Sequence, residues 1–146
     1  MTKLQVPMTN SGPRLAADCI ILVGGKVLLI HRKNEPVGWA LPGGFVEYGD
    51  TVEAAVRREM KEETGLNLDQ LRQFHVYSDP GRDKRGHTVS VVFVAQGVGR
   101  PEAGDDADRC RLVDLSDIPE ADLVFDHAQI LKDFRDDSGP GRPEAR

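Results

Sequence analysis

Residues 41–66 read LPGGFVEYGDTVEAAVRREMKEETGL. A glycine pair stands near the start of the stretch and Gly65 near its end. Between them, Val52, Val56 and Met60 recur at four-residue spacing, the apolar stripe of an amphipathic helix. Asp50 with Glu53 three residues on predicts a capping-box start, and Thr51 is the other candidate cap. Gly65 predicts the stop, because the left-handed conformation after a helix favours glycine. Gly43 and Gly44 predict a tight turn just before the helix.

The helix carries an awkward charge. Successive residues advance about 100°, so Glu59, Glu62 and Glu63 fall within an arc of roughly 100° beside the apolar stripe. Like charges at this spacing cost a few tenths of a kcal/mol each when exposed, and more when desolvated. One reading is a solvated face balanced by Arg57, Arg58 and Lys61. The other is that divalent cations remove the cost, and a cluster of hard oxygen donors suits Mg²⁺ or Mn²⁺ rather than zinc. Gly43 and Gly44 can bring a backbone carbonyl close to such a cation, and Gly49 and Asp50 add a second turn with a carboxylate.

Working outward, residues 15–23 (LAADCIILV) and 26–31 (KVLLIH) predict two strands joined by a Gly24-Gly25 hairpin. Residues 39–41 form a short strand candidate. Further strands are predicted over 71–78, 87–96 and 109–115, and an amphipathic helix over 126–134. The order implies an α/β fold with a mixed sheet, an α/β/α sandwich. The 146 residues make one domain, over 15–135, flanked by a flexible arm (1–14) and a disordered tail (136–146).

The formal net charge of -5 argues against a nucleic-acid-binding face. It leaves phosphorylated small molecules open, since a bound cation inverts the local field. Cys19 and Cys110 show no metal-ligand spacing and read as reduced thiols. With no signal-like segment and no apolar run of membrane-spanning length, a cytoplasmic protein with no membrane partner is expected.

Residues 44–66 resemble the Nudix box of the Nudix hydrolases, GX5EX7REUXEEXGU with U bulky and aliphatic. Gly44, Arg58, Glu59, Met60, Glu62, Glu63, Gly65 and Leu66 occupy the fixed positions, and Asp50 stands where the family usually has Glu. The resemblance runs over most of 15–135. It implies Glu59 and Glu63 as principal metal ligands supported by Glu62, a carbonyl of Gly43 or Gly44 in the shell, and Arg58 orienting Glu59. Asp50, one methylene short, either holds a cation through water or pairs with Arg58. The implied reaction is metal-dependent hydrolysis of a diphosphate, with Mg²⁺ or Mn²⁺ neutralising the phosphates and a carboxylate taking the proton from water. Within the acidic loop of Glu102, Asp105, Asp106 and Asp108, Asp106 is the chosen carboxylate.

Residues 77–92 bear on the substrate. Arg82, Lys84 and Arg85 follow an Asp79-Pro80-Gly81 turn, and His87 opens the next strand; such a loop can reach phosphates or a terminal ribose, or be a solvated loop or dimer contact. Arg32 and His31 are further candidate contacts. The run GGFVEYGDTVE with SDPGRDKRGH resembles the ADP-ribose pyrophosphatase branch, and Pro80, fifteen residues after Gly65, matches its marker. The expectation is a nucleotide-type substrate, foremost ADP-ribose split to AMP and ribose 5-phosphate, and a homodimer. Two alternatives are a (deoxy)nucleoside triphosphate hydrolase and a non-catalytic nucleotide sensor; the latter usually carries a DNA-binding extension and a degraded box.

Overall fold

A computed structural model of the chain describes residues 12–102 and 107–137. Its frame is a mixed sheet of seven strands: β1 (Arg14–Val23), β2 (Lys26–Arg32), β3 (Gly38–Ala40), β4 (Gly43–Phe45), β5 (Asn67–Tyr77), β6 (Thr88–Val98) and β7 (Ala107–Val113). The strand order is β3-β2-β1-β6-β5, with β4 added to β1 and β7 to β2. Among the described strands, β1 and β6 pair in parallel and the other strand pairs are antiparallel. Two helices, α1 (Val52–Thr64) and α2 (His127–Asp137), complete the frame.

The alternation of β1 and β2 explains the layering. Ala17, Cys19, Ile21 and Leu28 join Val56 and Met60 of α1 in one core cluster. Ile20, Val27 and Leu29 join Ile130, Leu131 and Phe134 of α2 in another. Successive strand residues point to opposite faces, so an unbroken apolar run requires a layer on each side. The α/β/α arrangement expected from the sequence is therefore present. Each fully buried large aliphatic side chain contributes about 1.5–3 kcal/mol, which places most of the stability in these two interfaces. Gly24 and Gly25 take φ of 59° and 83° at the hairpin, the left-handed pair of a type I′ turn.

Three local expectations are corrected. Gly43 and Gly44 do not form a turn: they lie in β4, opposite Asp18 and Ala17 of β1. Close approach, not turning, demands glycine there, because a Cβ on Gly43 would fall 2.6 Å from the Ala17 carbonyl oxygen. The helix cap is Thr51, whose hydroxyl accepts from Ala54 N at 3.0 Å. Asp50 is diverted from capping by Arg58. Finally, β5 begins at Asn67 rather than near residue 71. Its polar first half pairs with β6 through a bulge between Asp69 and Arg72, and that tertiary pairing overrides a weak local pattern.

The sheet forks. β1 pairs with β2 only at Leu22 and Val23, whereas Ala16, Ala17 and Asp18 pair with β4. The arms diverge at the other ends of β1 and β2, and the cleft described below draws on both. Both cysteines are free thiols, and burial pushes Cys19 far above the ordinary thiol range. No helix among the described residues is long and apolar enough to cross a membrane.

Candidate active site

The fork holds a cleft of about 410 Å³, and α1 supplies one wall through Glu59 and Glu63. Glu63 is 6% exposed and accepts a hydrogen bond from Gly43 N at 2.9 Å through Oε1. Glu59 lies against Gly44 so closely that an added Cβ would stand 2.3–2.7 Å from its carboxyl atoms. The two glutamates are one turn apart and face β4 together. Glu62 is exposed and does not line this cleft. Its position at 60° on the far side of Glu59 explains the difference.

Arg58 organises the mouth of this wall. It pairs with Asp50 and lies 3.5 Å from Glu59, 3.4 Å from the Phe45 carbonyl and 3.9 Å from Glu47. The hydrogen bond to Asp50 is the main cause holding the Arg58 guanidinium above its ordinary pKa. Asp50 thus meets Arg58 directly, despite the shorter side chain.

Whether a cation fits follows from the donors. Among the described residues no three His, Cys, Asp or Glu side chains gather closely enough to hold a metal by themselves. Two glutamates beside the Gly43-Gly44 backbone are hard oxygen donors, and the space at Gly44 is one a Cβ would fill. Mg²⁺-type ions keep several waters and bind through one or two carboxylates plus substrate phosphates. The residues present fit that mode.

The opposite wall is cationic and aromatic. Arg32 donates to the carbonyls of Pro36 (2.8 Å) and Glu35 (3.1 Å), and its guanidinium lies 5.2 Å from the Phe125 ring centre. Arg85 stands 5.2 Å from Phe125 and 5.9 Å from Phe45, with Asp83 at 2.8 Å. Burial alone would raise the Asp83 carboxyl, but hydrogen bonds from Arg85 outweigh it and hold the group below the usual range. Arg82 also lines the cleft, but its side chain is only 4% exposed and is locked to Asp126 at 2.7 and 2.9 Å. Its remaining nitrogen donates to the Thr88 carbonyl at 3.4 Å.

Other sequence candidates lie elsewhere. Pro80 starts a single 3₁₀ turn, is exposed and is outside the cleft lining. His87 is exposed too, and its Nε2 lies 3.0 Å from the Ser78 carbonyl oxygen. The His31 ring packs edge-on against Trp39 at 5.1 Å. Asp105 and Asp106 lie outside the described residues, whereas Glu102 is exposed and its N–H donates to the Thr64 carbonyl at 2.8 Å.

The cleft floor holds residues the sequence reading missed: Asp18, Thr88, Phe125 and His127. Asp18 accepts a short hydrogen bond from Ser90. Its sequence signal was a lone carboxylate inside the apolar run of β1. Phe125 has φ of 57°, a left-handed backbone that no local pattern announces. His127, 2% exposed, accepts the Leu41 N–H at Nδ1 across 2.9 Å. Burial drives its pKa down to about 4, so the ring is neutral at pH 7.

Comparison with known proteins identifies relatives of the chain. The ADP-ribose pyrophosphatase of Methanocaldococcus jannaschii is 50% identical over 125 residues, covering 84% of this chain and 73% of that protein. The NUDIX domain of Shewanella oneidensis NrtR, solved with ADP ribose, superposes with a TM-score of 0.79 at 26% identity, covering 88% of this chain and 90% of that one. A bifunctional NMN adenylyltransferase/ADP ribose pyrophosphatase from Francisella tularensis, solved with AMP and a Mn ion, gives a TM-score of 0.74 at 28% identity. That match covers 88% of this chain but 42% of the bifunctional protein. The NUDIX domain description matches residues 12–134, nearly the whole described chain, and with the box geometry in place the chain belongs to the NUDIX domain family.

Proposed function

We propose that this chain is a divalent-metal-dependent hydrolase that splits ADP-ribose into AMP and ribose 5-phosphate. The observation that carries the reading is the pairing of walls in one cleft. Glu59 and Glu63 face the Gly43-Gly44 backbone on one side, and Arg32 and Arg85 stand with Phe125 on the other. A diphosphate is polyanionic and binds between a cation site and guanidinium groups. The cleft volume of about 410 Å³ lies within the range of small-molecule sites. The 50% identity to an ADP-ribose pyrophosphatase supports the choice of substrate.

In the proposed reaction a water oxygen bonds to one phosphorus, the bridging P–O bond breaks, and the water proton passes to a carboxylate. A bound divalent ion, Mg²⁺ or in its place Mn²⁺, supplies charge neutralisation of the phosphates. The protein's own residues do the rest. Glu59 and Glu63 fix the cation side, Arg58 holds Glu59 in place, and Arg32 and Arg85 bind phosphate charge. Asp106 is proposed as the carboxylate that takes the proton, with Glu62 in a supporting role.

The test is a panel of ADP-ribose, deoxynucleoside triphosphates and oxidised triphosphates, each with Mg²⁺ and with Mn²⁺. ADP-ribose is expected to give AMP and ribose 5-phosphate with the highest kcat/KM. Faster release of pyrophosphate from a triphosphate would favour the triphosphate reading. Tight ADP-ribose binding without turnover would favour a sensor.

A further inference from the structure

Asp83 places a buried carboxylate at the cleft, its side chain 3% exposed beside the 37% exposed side chain of Arg85. Every hydrogen bond to that carboxylate among the described residues comes from Arg85. The backbone N–H and Nε each donate to Oδ1 at 3.0 Å, and Nη2 donates to Oδ2 at 2.8 Å. Burying a charge is costly, and apolar residues of like size are often as stable as a buried ion pair or more so. Nor does the local turn depend on the carboxylate alone, because the Gly86 N–H also donates to the Asp83 carbonyl at 3.2 Å. Phe125 restrains the same guanidinium from 5.2 Å, and its φ of 57° is one that a bulky residue adopts only where its surroundings impose it. Arg85 is therefore held at the cleft more firmly than stability requires.

A guanidinium presents two bidentate edges, one at Nε with a terminal nitrogen and one at the two terminal nitrogens. Asp83 occupies the first. Arg85 Nη1 makes no hydrogen bond among the described residues, so the second edge is left for a ligand. We infer that Asp83 is a positioning residue: it clamps Arg85 by one edge so that the other is fixed for bidentate binding of the substrate's diphosphate. This role presupposes the diphosphate site proposed above. A free arginine loses rotamer freedom each time it binds an anion, whereas one already locked by Asp83 and Phe125 does not. Charge and positioning pull in opposite directions here. A carboxylate beside a polyanion repels it, so charge alone predicts that removing Asp83 tightens anion binding. The clamp predicts that removing it weakens binding.

The experiment is calorimetric titration of the full chain with inorganic pyrophosphate in the presence of Mg²⁺. Asp83→Asn keeps an acceptor for the Arg85 backbone N–H, so the turn survives, but it loses the charged fork. Pyrophosphate affinity is expected to fall about tenfold, against the direction that charge predicts. If that variant fails to fold, Asp83→Ser, whose hydroxyl also serves the turn, takes its place with the same expected loss. In an Arg85→Ala background, Asp83→Asn is expected to cost nothing further, because Asp83 acts only through Arg85. Unchanged or tighter pyrophosphate binding by the Asp83 variant would overturn the inference, as would an equal loss in both backgrounds or no binding by wild type. Binding that depends on Asp83 only when Arg85 is present, found together with no ADP-ribose hydrolysis, would uphold the clamp and reject the proposed activity. Hydrolysis by Asp83→Asn with wild-type kcat and KM would reject the clamp and leave that activity standing.

Discussion

The backbone N–H of Gly43 donates to Glu63 Oε1 across 2.9 Å, joining residues twenty apart in the chain. That bond fixes the last turns of α1 against β4, which is itself laddered to β1. One glycine next to it, Gly44, makes room for the Glu59 carboxylate. The glycine pair thus serves as the seat for the glutamates, and its two members should respond differently to substitution.

Gly44→Ala meets only the end of a flexible side chain, the Glu59 carboxyl at 2.3–2.7 Å. Glu59 can swing aside, so stability should change by less than about 1 kcal/mol while Mg²⁺-dependent turnover falls about a hundredfold. Gly43→Ala instead meets the Ala17 carbonyl at 2.6 Å, which is backbone and cannot yield. It should lose about 2–4 kcal/mol of stability. Urea unfolding beside steady-state kinetics separates the two; equal stability losses would contradict this account.

Asp50 pairs with Arg58, which in turn lies 3.5 Å from Glu59. Asp50→Ala should leave Arg58 unanchored and lower kcat about tenfold, with little change in unfolding free energy, because the pair is partly exposed. Asp50→Glu can remake the pair and should retain activity within about threefold. A kcat for Asp50→Ala equal to wild type would show that Arg58 needs no anchor.

The Arg82–Asp126 pair joins the 3₁₀ turn at Pro80–Arg82 to the segment entering α2, with the Arg82 side chain 4% exposed. Asp126→Ala strands a buried guanidinium and should cost about 3 kcal/mol. The double substitution Arg82→Met with Asp126→Ala should recover part of that loss. Thermal unfolding of Arg82→Met, Asp126→Ala and the double variant measures it, and additive losses would count against a buried pair.

His127 titrates at about 4 in the folded protein against 6.5 ordinarily, because burial disfavours its charged form. Between those values the unfolded chain binds more protons. Stability is therefore full above about pH 6.5 and falls as the pH drops towards 4, by roughly 3 kcal/mol in total. The charged groups around the ring are Asp18, Arg82, Arg32 and Asp83. Urea titrations of metal-free protein from pH 7 to 4 should show that slope, and His127→Asn should flatten it. An unchanged slope would assign the acid sensitivity to other groups.

Much of the fold and of the glutamate wall is legible in the sequence alone. The four-residue apolar repeat of Val52, Val56 and Met60, with Gly65 behind it, defines α1, and the spacing of the box defines the glutamates. The unbroken apolar runs of β1 and β2 imply layers on both faces. The cleft floor is not legible, because it brings together the start of β6 and the start of α2, thirty-nine residues apart, around single polar residues with no local pattern. Arg82 illustrates the opposite limit. Its basic loop suggests a phosphate contact, but only the tertiary structure shows Asp126 waiting for it. Glu62 likewise shares the helix arc yet faces solvent, since the cleft admits only the Glu59–Glu63 edge.

The most direct test of the central claim is hydrolysis of ADP-ribose with Mg²⁺ by wild type, Glu63→Gln and Glu62→Gln under one set of conditions, with products resolved chromatographically. The account predicts equal amounts of AMP and ribose 5-phosphate from wild type. It predicts a loss of about a thousandfold for Glu63→Gln and a loss at least tenfold smaller for the exposed Glu62 variant. Full turnover by Glu63→Gln, or no turnover by wild type, would contradict it.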